Sequence, residues 1–464
     1  MKGDTFDRID PLYYKKSDSL NIVNLSKYPK TKLSTVTDLL RGRFSHRPRN
    51  EPRFYDGKYP FIQTGDIVKA SNEGSEIEYT QTLNEEGLKV SKLFNPPTLV
   101  ITIAANIGDT AILNYPACFP DSLVTIKPKN ENLRIDYLNI YFKYLKNYLN
   151  EIAPQAAQKN LNIQQLSPTP IIIPPLEIQN QIVEKYNQAV EAKRQKEAEA
   201  KAHLASIDGY LLDKLGIILP QTTENPKFYY SKFSKVVGRR FDPKPYLPSN
   251  YELKESIKKS KYPIKPLKAL ITQSVAGDWG IDEAQDGFEE RLVIRATEFD
   301  NFYNLNLEND RVKYRFINQT KLSKMDLQTD DLLIEKSGGS ENQPVGRIAI
   351  ITNDLTQNYK LAYSNFIHKI RIIHNVSAEF IYFYLKTIHN IKITDLMQSQ
   401  TNGIRNLIMH EYLSIPVSLP PIEIQNEIAE HIRVIREKAK ALENEAKELL
   451  ETAKAEVERM ILGE

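Results

Sequence analysis

The nonapeptide Pro174-Pro175-Leu176-Glu177-Ile178-Gln179-Asn180-Gln181-Ile182 returns 246 residues later as Pro420-Pro421-Ile422-Glu423-Ile424-Gln425-Asn426-Glu427-Ile428, with seven of nine positions identical. Such a repeat constrains the chain to two copies of one architecture, because both copies answer to the same local rules. Near the start of each half, Arg8-Ile9-Asp10-Pro11 and Tyr14 return as Arg240-Phe241-Asp242-Pro243 and Tyr246, and Tyr28-Pro29 returns as Tyr262-Pro263. Looser matches pair Leu99-Val100-Ile101 with Leu332-Leu333-Ile334, Gly108 with Gly346 and Asn160-Leu161 with Asn406-Leu407. The offset grows from 232 to 246 along the chain, which places loop insertions inside the second copy.

After each Pro-Pro the pattern takes on helical period and holds no proline for some forty residues, as expected where proline begins a helix. In the second helix Ile428, Ile432, Ile435, Ala439, Leu442, Ala446, Leu449 and Ala453 step by fours and threes, the seam of a coiled coil. The first shows Ile178, Ile182, Ala189, Leu204, Ile207, Leu211 and Leu215, with an alanine-rich middle that permits close helix approach. A narrow seam with charged flanks suits one partner helix better than a globular core, so each helix is expected to pair with the other copy; two amphipathic helices packed on their own domains are the alternative. Forty residues would measure about 60 Å at ~1.5 Å per residue. Gly216 and Gly463 fit C-terminal caps.

The domains before the helices carry strand-like runs at Thr98 to Ala104, Ala111 to Leu113 and Ser122 to Lys127, then at Asp331 to Glu335, Gly346 to Ile351 and Phe366 to Ile373. Tyrosine-rich helical stretches follow at Asp136 to Tyr148 and Ala378 to Ile388. The expected fold is α+β with several β-hairpins: two similar domains joined by two long helices forming a coiled coil, with the pseudo-two-fold symmetry that a duplication allows. The expected partition is 1–175 for the first domain, 176–216 for the first helix, 217–421 for the linker and second domain, and 422–464 for the second helix.

Composition excludes several classes. With 464 residues, 41% hydrophobic and 26% charged, the chain has material for two or three soluble domains. A net charge of +3 means that any nucleic-acid surface must be a local concentration of Lys and Arg. The single cysteine, Cys118, excludes an internal disulfide framework and a multi-cysteine zinc site, and fits a reducing cytoplasm. No apolar run approaches the ~20 residues of a membrane span, and the first residues lack the apolar stretch of a signal peptide. A soluble cytoplasmic protein is expected.

No catalytic constellation emerges. Asn95-Pro96-Pro97-Thr98 is similar to the Asn-Pro-Pro-aromatic motif of amino-methyltransferases, but Thr98 cannot stack on a flipped base and no glycine-rich cofactor loop precedes it. Ser337-Gly338-Gly339-Ser340 lacks the Lys-Ser/Thr of a phosphate-binding loop and reads as a flexible turn. Glu335 lacks a second acid at nuclease spacing. Neither a catalytic residue nor a metal ligand is expected.

The nucleic-acid signal is stronger. Arg41, Arg43, Arg47, Arg49 and Arg53 fall within thirteen residues, interleaved with Phe44, His46, Phe54 and Tyr55 and broken by Pro48 and Pro52. Arginine grips phosphates and can hold guanine through two hydrogen bonds, so this loop suits DNA; a solvated basic loop is the alternative. The matching stretch of the second half, Thr272 to Arg291 around Trp279, is acidic, so the copies would read different sequences. Gln63-Thr64 and Arg295-Ala296-Thr297 suit adenine and guanine edges respectively, or equally are buried polar strand ends. Lys336, Lys159 and Arg405 complete the candidates, the last two in amide-rich loops at Gln155 to Gln165 and Gln398 to Asn406.

With the doubled Pro-Pro-(Leu/Ile)-Glu-Ile-Gln before a long helix, each after a domain opening with Arg-x-Asp-Pro, the whole chain resembles the specificity subunit of type I restriction-modification systems. The resemblance implies two target recognition domains, each reading half of a bipartite DNA site, on an antiparallel coiled coil. It implies a non-catalytic chain that binds double-stranded DNA with two modification subunits and restriction subunits. S-adenosylmethionine would then sit on the modification subunits, which methylate adenine, and ATP and Mg on the restriction subunits. Ile178, Ile182, Leu204, Ile207, Leu211, Ile428, Ile435, Leu442 and Leu449 would form the helix–helix and subunit interface. A fixed spacer of several unread base pairs is expected. The competing classes are an autonomous methyltransferase or nuclease, which would modify DNA alone, and a coiled-coil scaffold, which would show no sequence-specific DNA binding.

Overall fold

The computed structural model describes residues 25–154, 160–221, 227–236, 243–300, 305–340, 343–401 and 403–464. The repeated Arg-x-Asp of each half and the candidate Lys159 lie outside them. The chain divides into two compact units, Met1–Glu197 with Glu443–Glu464, and Ala198–Leu442. Each unit therefore takes part of both long helices, rather than one domain and the helix that follows it.

In the first unit the strand Thr98–Thr102 is buried along its whole length, because both of its faces are covered. Leu99 and Ile101 point to the apolar face of the helix Ile135–Ile152, whereas Val100 joins Ile62, Ile67 and Phe119 on the other side. Strand alternation thus separates one β-branched run into two cores. The antiparallel sheet has the order Thr37–Arg41, Leu123–Pro128, Thr98–Thr102, Thr110–Leu113. A second sheet orders Gln81–Leu83, Tyr55–Phe61, Ala117–Cys118 and Leu93–Phe94, with Phe61 and Cys118 in parallel pairing. Lys30–Lys32 pairs with Pro170–Ile172.

The second unit repeats this plan on its own residues. Its sheet runs Ile271–Ala276, Ile367–Ile372, Leu332–Glu335, Ile348–Ile350. Leu332 and Ile334 enter the core of the helix Ala378–Asn390, while Leu333 enters the opposite one. The smaller sheet orders Tyr314–Asn318, Phe288–Ile294 and Leu361–Tyr363, the last pair parallel. Ile264–Pro266 pairs with Pro416–Ser418. The expected hairpins are present, as at Thr98–Thr102 with Thr110–Leu113, and each smaller sheet adds a parallel pairing. The insertions lie on either side of the strand opened by Gly108 or Gly346: 103–107 answers to 336–345, and 114–122 to 352–366.

The repeated nonapeptide has a local cause. Gln179 is fully buried at the start of the helix Leu176–Leu215. Its Nε2 donates to the carbonyls of Pro174 (2.8 Å) and Asn132 (2.9 Å), and its Oε1 accepts from the amide of Arg134 (2.9 Å). Gln425 does the same at the start of Ile422–Leu462, donating to Pro420 (2.8 Å) and accepting from the amide of Ser377 (2.9 Å). Arg134 and Ser377 are the residues that precede each domain helix, so one amide side chain ties two helix starts together. At the other ends Gly216 and Gly463 have φ of +67° and +83°, a left-handed stop that favours glycine. There the chain is held by Lys261, whose amide donates to Leu215, and by Lys27, whose amide donates to Leu462.

The seam needs a correction. In each unit the two helices pair antiparallel: Lys185 with Glu456 and Lys196 with Glu445 in the first, Glu199 with Lys438 and Lys214 with Glu427 in the second. Among the described residues, the cluster made of helix residues is Ala200, Ala439 and Leu442, with Leu204 packed both against it and against the second domain core. Ile178 and Ile182 pack into the first domain core, and Ile207, Leu211, Ile428 and Ile435 into the second. Leu449 is 38% exposed, because alanines at 189 and 192 face it across a groove, and the neighbouring Leu450 turns inward instead.

Candidate nucleic-acid interface

The arginine-rich stretch is shaped by one close approach. A Cβ on Gly42 would lie 2.2 Å from the carbonyl oxygen of Pro120, so the chain leaving the strand Thr37–Arg41 runs directly against residues 119–122. The amide of Arg43 donates to the carbonyl of Phe119 (3.0 Å) there. Arg41 Nε donates to the carbonyl of Asp121 at 2.6 Å, and the guanidinium groups of Arg47 (3.3 Å) and Arg49 both meet the Asp121 carboxylate. Arg43 instead donates Nε (3.1 Å) and Nη2 (2.7 Å) to the carbonyl of Ser91. Arg53 pairs with Glu51 and lies 4.7 Å over the ring of Phe54. Ser122 Oγ is 3.0 Å from Thr64 Oγ1, which places Thr64 beside the same edge.

The interleaved aromatics have a different role from the one expected. Phe44 and Phe54 are buried and pack with Phe61, Leu83 and Cys118, so they anchor the loop from below and do not face DNA. Their spacing in the sequence is that of a small core, one that holds arginines outward. His46 sits on Phe54, 4.7 Å between ring centres, and pairs with Glu51.

In the second unit the same close approach recurs at Gly277, 2.2 Å from the carbonyl of Ser364 by the same measure, and the amide of Asp278 donates to Tyr363 (2.9 Å) where Arg43 meets Phe119. Asp278 thus stands at the place of Arg43, Asn365 at that of Asp121 and Phe366 at that of Ser122. Asp278 pairs with Lys321. Trp279, the second unit's aromatic candidate for DNA contact, is half-buried in an apolar cluster with the guanidinium of Arg315 stacked 4.8 Å over its ring. Phe366 is 44% exposed.

Gln63 and Arg295 prove to be equivalent caps. Each precedes a helical turn, Thr64–Glu73 or Ala296–Glu298, and its amide donates to an acid three residues on, Asp66 (2.7 Å) or Glu298 (2.6 Å). Burial raises the Asp66 carboxyl above its ordinary range, against the pull of that hydrogen bond. Gln63 also donates to Gln81. The Arg295 guanidinium binds the buried Glu298 carboxylate at 2.6 Å and the carbonyl of Arg311, and Thr297 donates to the same carboxylate at 2.7 Å. The buried polar strand end is therefore the better account of Arg295 and Thr297: removing Arg295 would strand a buried carboxylate.

Arg405 lies opposite Gly339 on the strand whose Leu407 bonds the Lys336 backbone. Ser337–Gly339 is a strand, not the expected flexible turn, and it pairs with Ile404–Leu407, which also pairs with Gln398–Thr401. The amide-rich stretch read as a loop is thus sheet. Leu407 donates to the Lys336 carbonyl at 2.7 Å, as Leu161 donates to Ile103 in the first unit. Lys336 lies near His368, whose imidazole burial pushes down to about 4, assisted by that lysine. Glu335 is held by Arg347 at 2.8 and 3.0 Å. Thr98 is buried at its strand start. Among the described residues no group of His, Cys, Asp and Glu could hold a metal ion, and no helix is long and apolar enough to cross a membrane.

Sequence reasoning missed Asp121, Ser122 and the two buried glutamines. Pro120-Asp121-Ser122 signals only a turn, and its side-chain partners lie 58 to 80 residues away. The glutamines were visible as repeated residues without a reason.

A family model described as the type I restriction modification DNA specificity domain matches residues 32–206 and again 290–452. Among solved structures, one reported as the structural basis of complex assembly and conformational transition of the type I R-M system is 13% identical, covering 94% of this chain and 97% of that one with a TM-score of 0.54. The S subunit of the type I restriction-modification system from M. genitalium matches at 13% identity over 96% of this chain and 98% of its own, TM-score 0.43. The corresponding subunit from Thermoanaerobacter tengcongensis matches at 13% over 94% and 97%, TM-score 0.39.

Proposed function

This chain belongs to the type I restriction-modification DNA specificity family and is its sequence-specificity component, and from that premise we propose that each unit reads one half of a bipartite DNA site. The observation that carries the reading is a shared scaffold with unlike edges. The Gly42 and Gly277 approaches place equivalent backbone at one edge of each unit, and the side chains there are arginines in one and Asp278, Asn365 and Phe366 in the other. Equivalent backbone offers each unit the same mode of approach to a duplex, and different side chains make different base preferences.

Arg41, Arg43, Arg47, Arg49 and Arg53, with Gln63 and Thr64 beside them, are the first unit's DNA contacts in this reading, and Lys336 and Arg405 belong to the second's. Lys159 is carried with them from its sequence position. The chain carries no chemistry of its own. Two modification subunits holding S-adenosylmethionine would methylate adenine, and restriction subunits using ATP and Mg would cleave, in the cytoplasm. The helix pairs, with exposed Leu449 in their groove, are the surface offered to those subunits.

The test is methylation mapping in a host carrying this chain with its modification subunit, comparing wild type with R41A/R43A/R47A. The expected result is a bipartite motif of which one half is relaxed and the other unchanged. Equal loss in both halves would reduce the arginines to nonspecific anchors, and methylation of DNA by the purified chain alone would favour an autonomous enzyme.

A further inference from the structure

Five arginines within thirteen residues form a strong phosphate trap unless something restrains them, since each phosphate neutralised releases counterions whatever the sequence. Asp121 is placed to supply that restraint. Its main-chain carbonyl holds Arg41 and its carboxylate holds both Arg47 and Arg49, so one residue addresses three guanidinium groups. These side chains are not sealed away: Arg47 is 52% exposed, Arg49 39% and Asp121 38%. Exposed ion pairs are worth about 0–1 kcal/mol, weak enough for a well-matched DNA partner to replace. The carboxylate also repels phosphate oxygens, which selects against backbone contact without base contact. Among the described residues of the second unit no such arrangement is found, because neutral Asn365 takes the place of Asp121 and Ala276 that of Arg41.

We propose that Asp121 is a specificity-determining residue of the first unit, holding Arg47 and Arg49 from indiscriminate phosphate contact so that they are released to a matching half-site. This rests on the DNA-reading function above. Removing the charge should therefore strengthen, not weaken, binding to the wrong DNA. That sign separates the idea from a purely structural role, in which loss of Asp121 would loosen the loop and lower affinity for any duplex.

The experiment titrates the full-length chain with a duplex of randomised sequence across a salt series, for wild type, D121N, D121E and D121N in an R47A/R49A background. For D121N the affinity should rise roughly eightfold at ~0.1 M salt for each phosphate gained, with the log–log salt slope steeper by about 0.9 per phosphate. D121E should resemble wild type, and D121N should change nothing once both arginines are gone. In methylation mapping D121N should blur the first half-site only. Unchanged or weaker random-duplex binding by D121N overturns the proposal. If wild type binds no duplex, alone or with its modification subunit, the DNA-reading function falls as well; if wild type binds and D121N matches it, only the role of Asp121 falls.

Discussion

The two units agree where backbone geometry is demanding and differ where side chains meet solvent. Gly42 and Gly277 allow the same approach of chain to chain, and Gly108 and Gly346 share a left-handed φ of +91° and +107° at the same turn. Gln179 and Gln425 make matching hydrogen bonds. Each of these positions admits few residues, so duplication has left them alike. Arg43 and Asp278 share a backbone position whose side chains point outward, and nothing in the packing obliges them to match. The conserved set builds a frame, and the divergent set is free to specify different DNA.

The largest effect should come from the buried amides. Gln179→Leu leaves the carbonyls of Asn132 and Pro174 and the amide of Arg134 without their partner, at a cost of about 3 kcal/mol, since an unsatisfied buried polar group costs roughly 1–3 kcal/mol. Q425L should do the same in the second unit. Peptide-resolved hydrogen exchange should show lost protection in the unit that carries the change; equal loss in both units would show that the frame is not divided as the repeat implies.

Next in size, Leu442→Ala should destabilise by about 2–3 kcal/mol and Leu449→Ala by under about 1 kcal/mol, although the two occupy the same heptad position. Denaturant midpoints of the full chain would measure both. Equal costs would restore the uniform seam that the spacing suggested.

Acid should then distinguish the units. Six of the seven histidines lie in the second unit. His389, buried and hydrogen-bonded to Thr394, has its pKa pushed down to about 3 by burial first and by Lys386 and neighbouring cations second. It stays neutral in the fold while the unfolded chain takes up a proton below about 6.5, so stability is full above that value and falls as pH drops toward 3. At pH 5 the loss is about 2 kcal/mol from His389, and His368 acts with the same sign. Hydrogen exchange at pH 7 and pH 5, corrected for intrinsic rates, should show the second unit opening first. H389N should remove part of the difference, and an unaltered difference would assign it elsewhere.

Much of the fold was legible because its causes are local. Proline placement, the 3-and-4 spacing after each Pro-Pro, and β-branched runs such as Thr98–Thr102 depend on neighbours in sequence, and the long helices, central strands and duplication follow from them. The site was less legible because its partners are distant. The aromatics among the arginines read as DNA-facing, yet Phe44 and Phe54 close a small core with Phe61 and Leu83. Arg295 read as a base contact, yet Glu298 binds it. Ser337–Gly339 read as a turn until Ile404–Leu407 supplied its pairing partner.

By itself, then, the amino-acid sequence determined that this protein is a duplication, that each copy ends in a long paired helix, and that arginine is concentrated in one copy. Periodicity and repetition are properties of a line of residues and can be read along it. Only the tertiary structure decided which arginines share Asp121, why a glutamine recurs at the start of each helix, and where the seam turns from a partner helix into a domain core. Those outcomes depend on which surfaces meet across dozens of residues, and in a close-packed interior that is set by the whole fold.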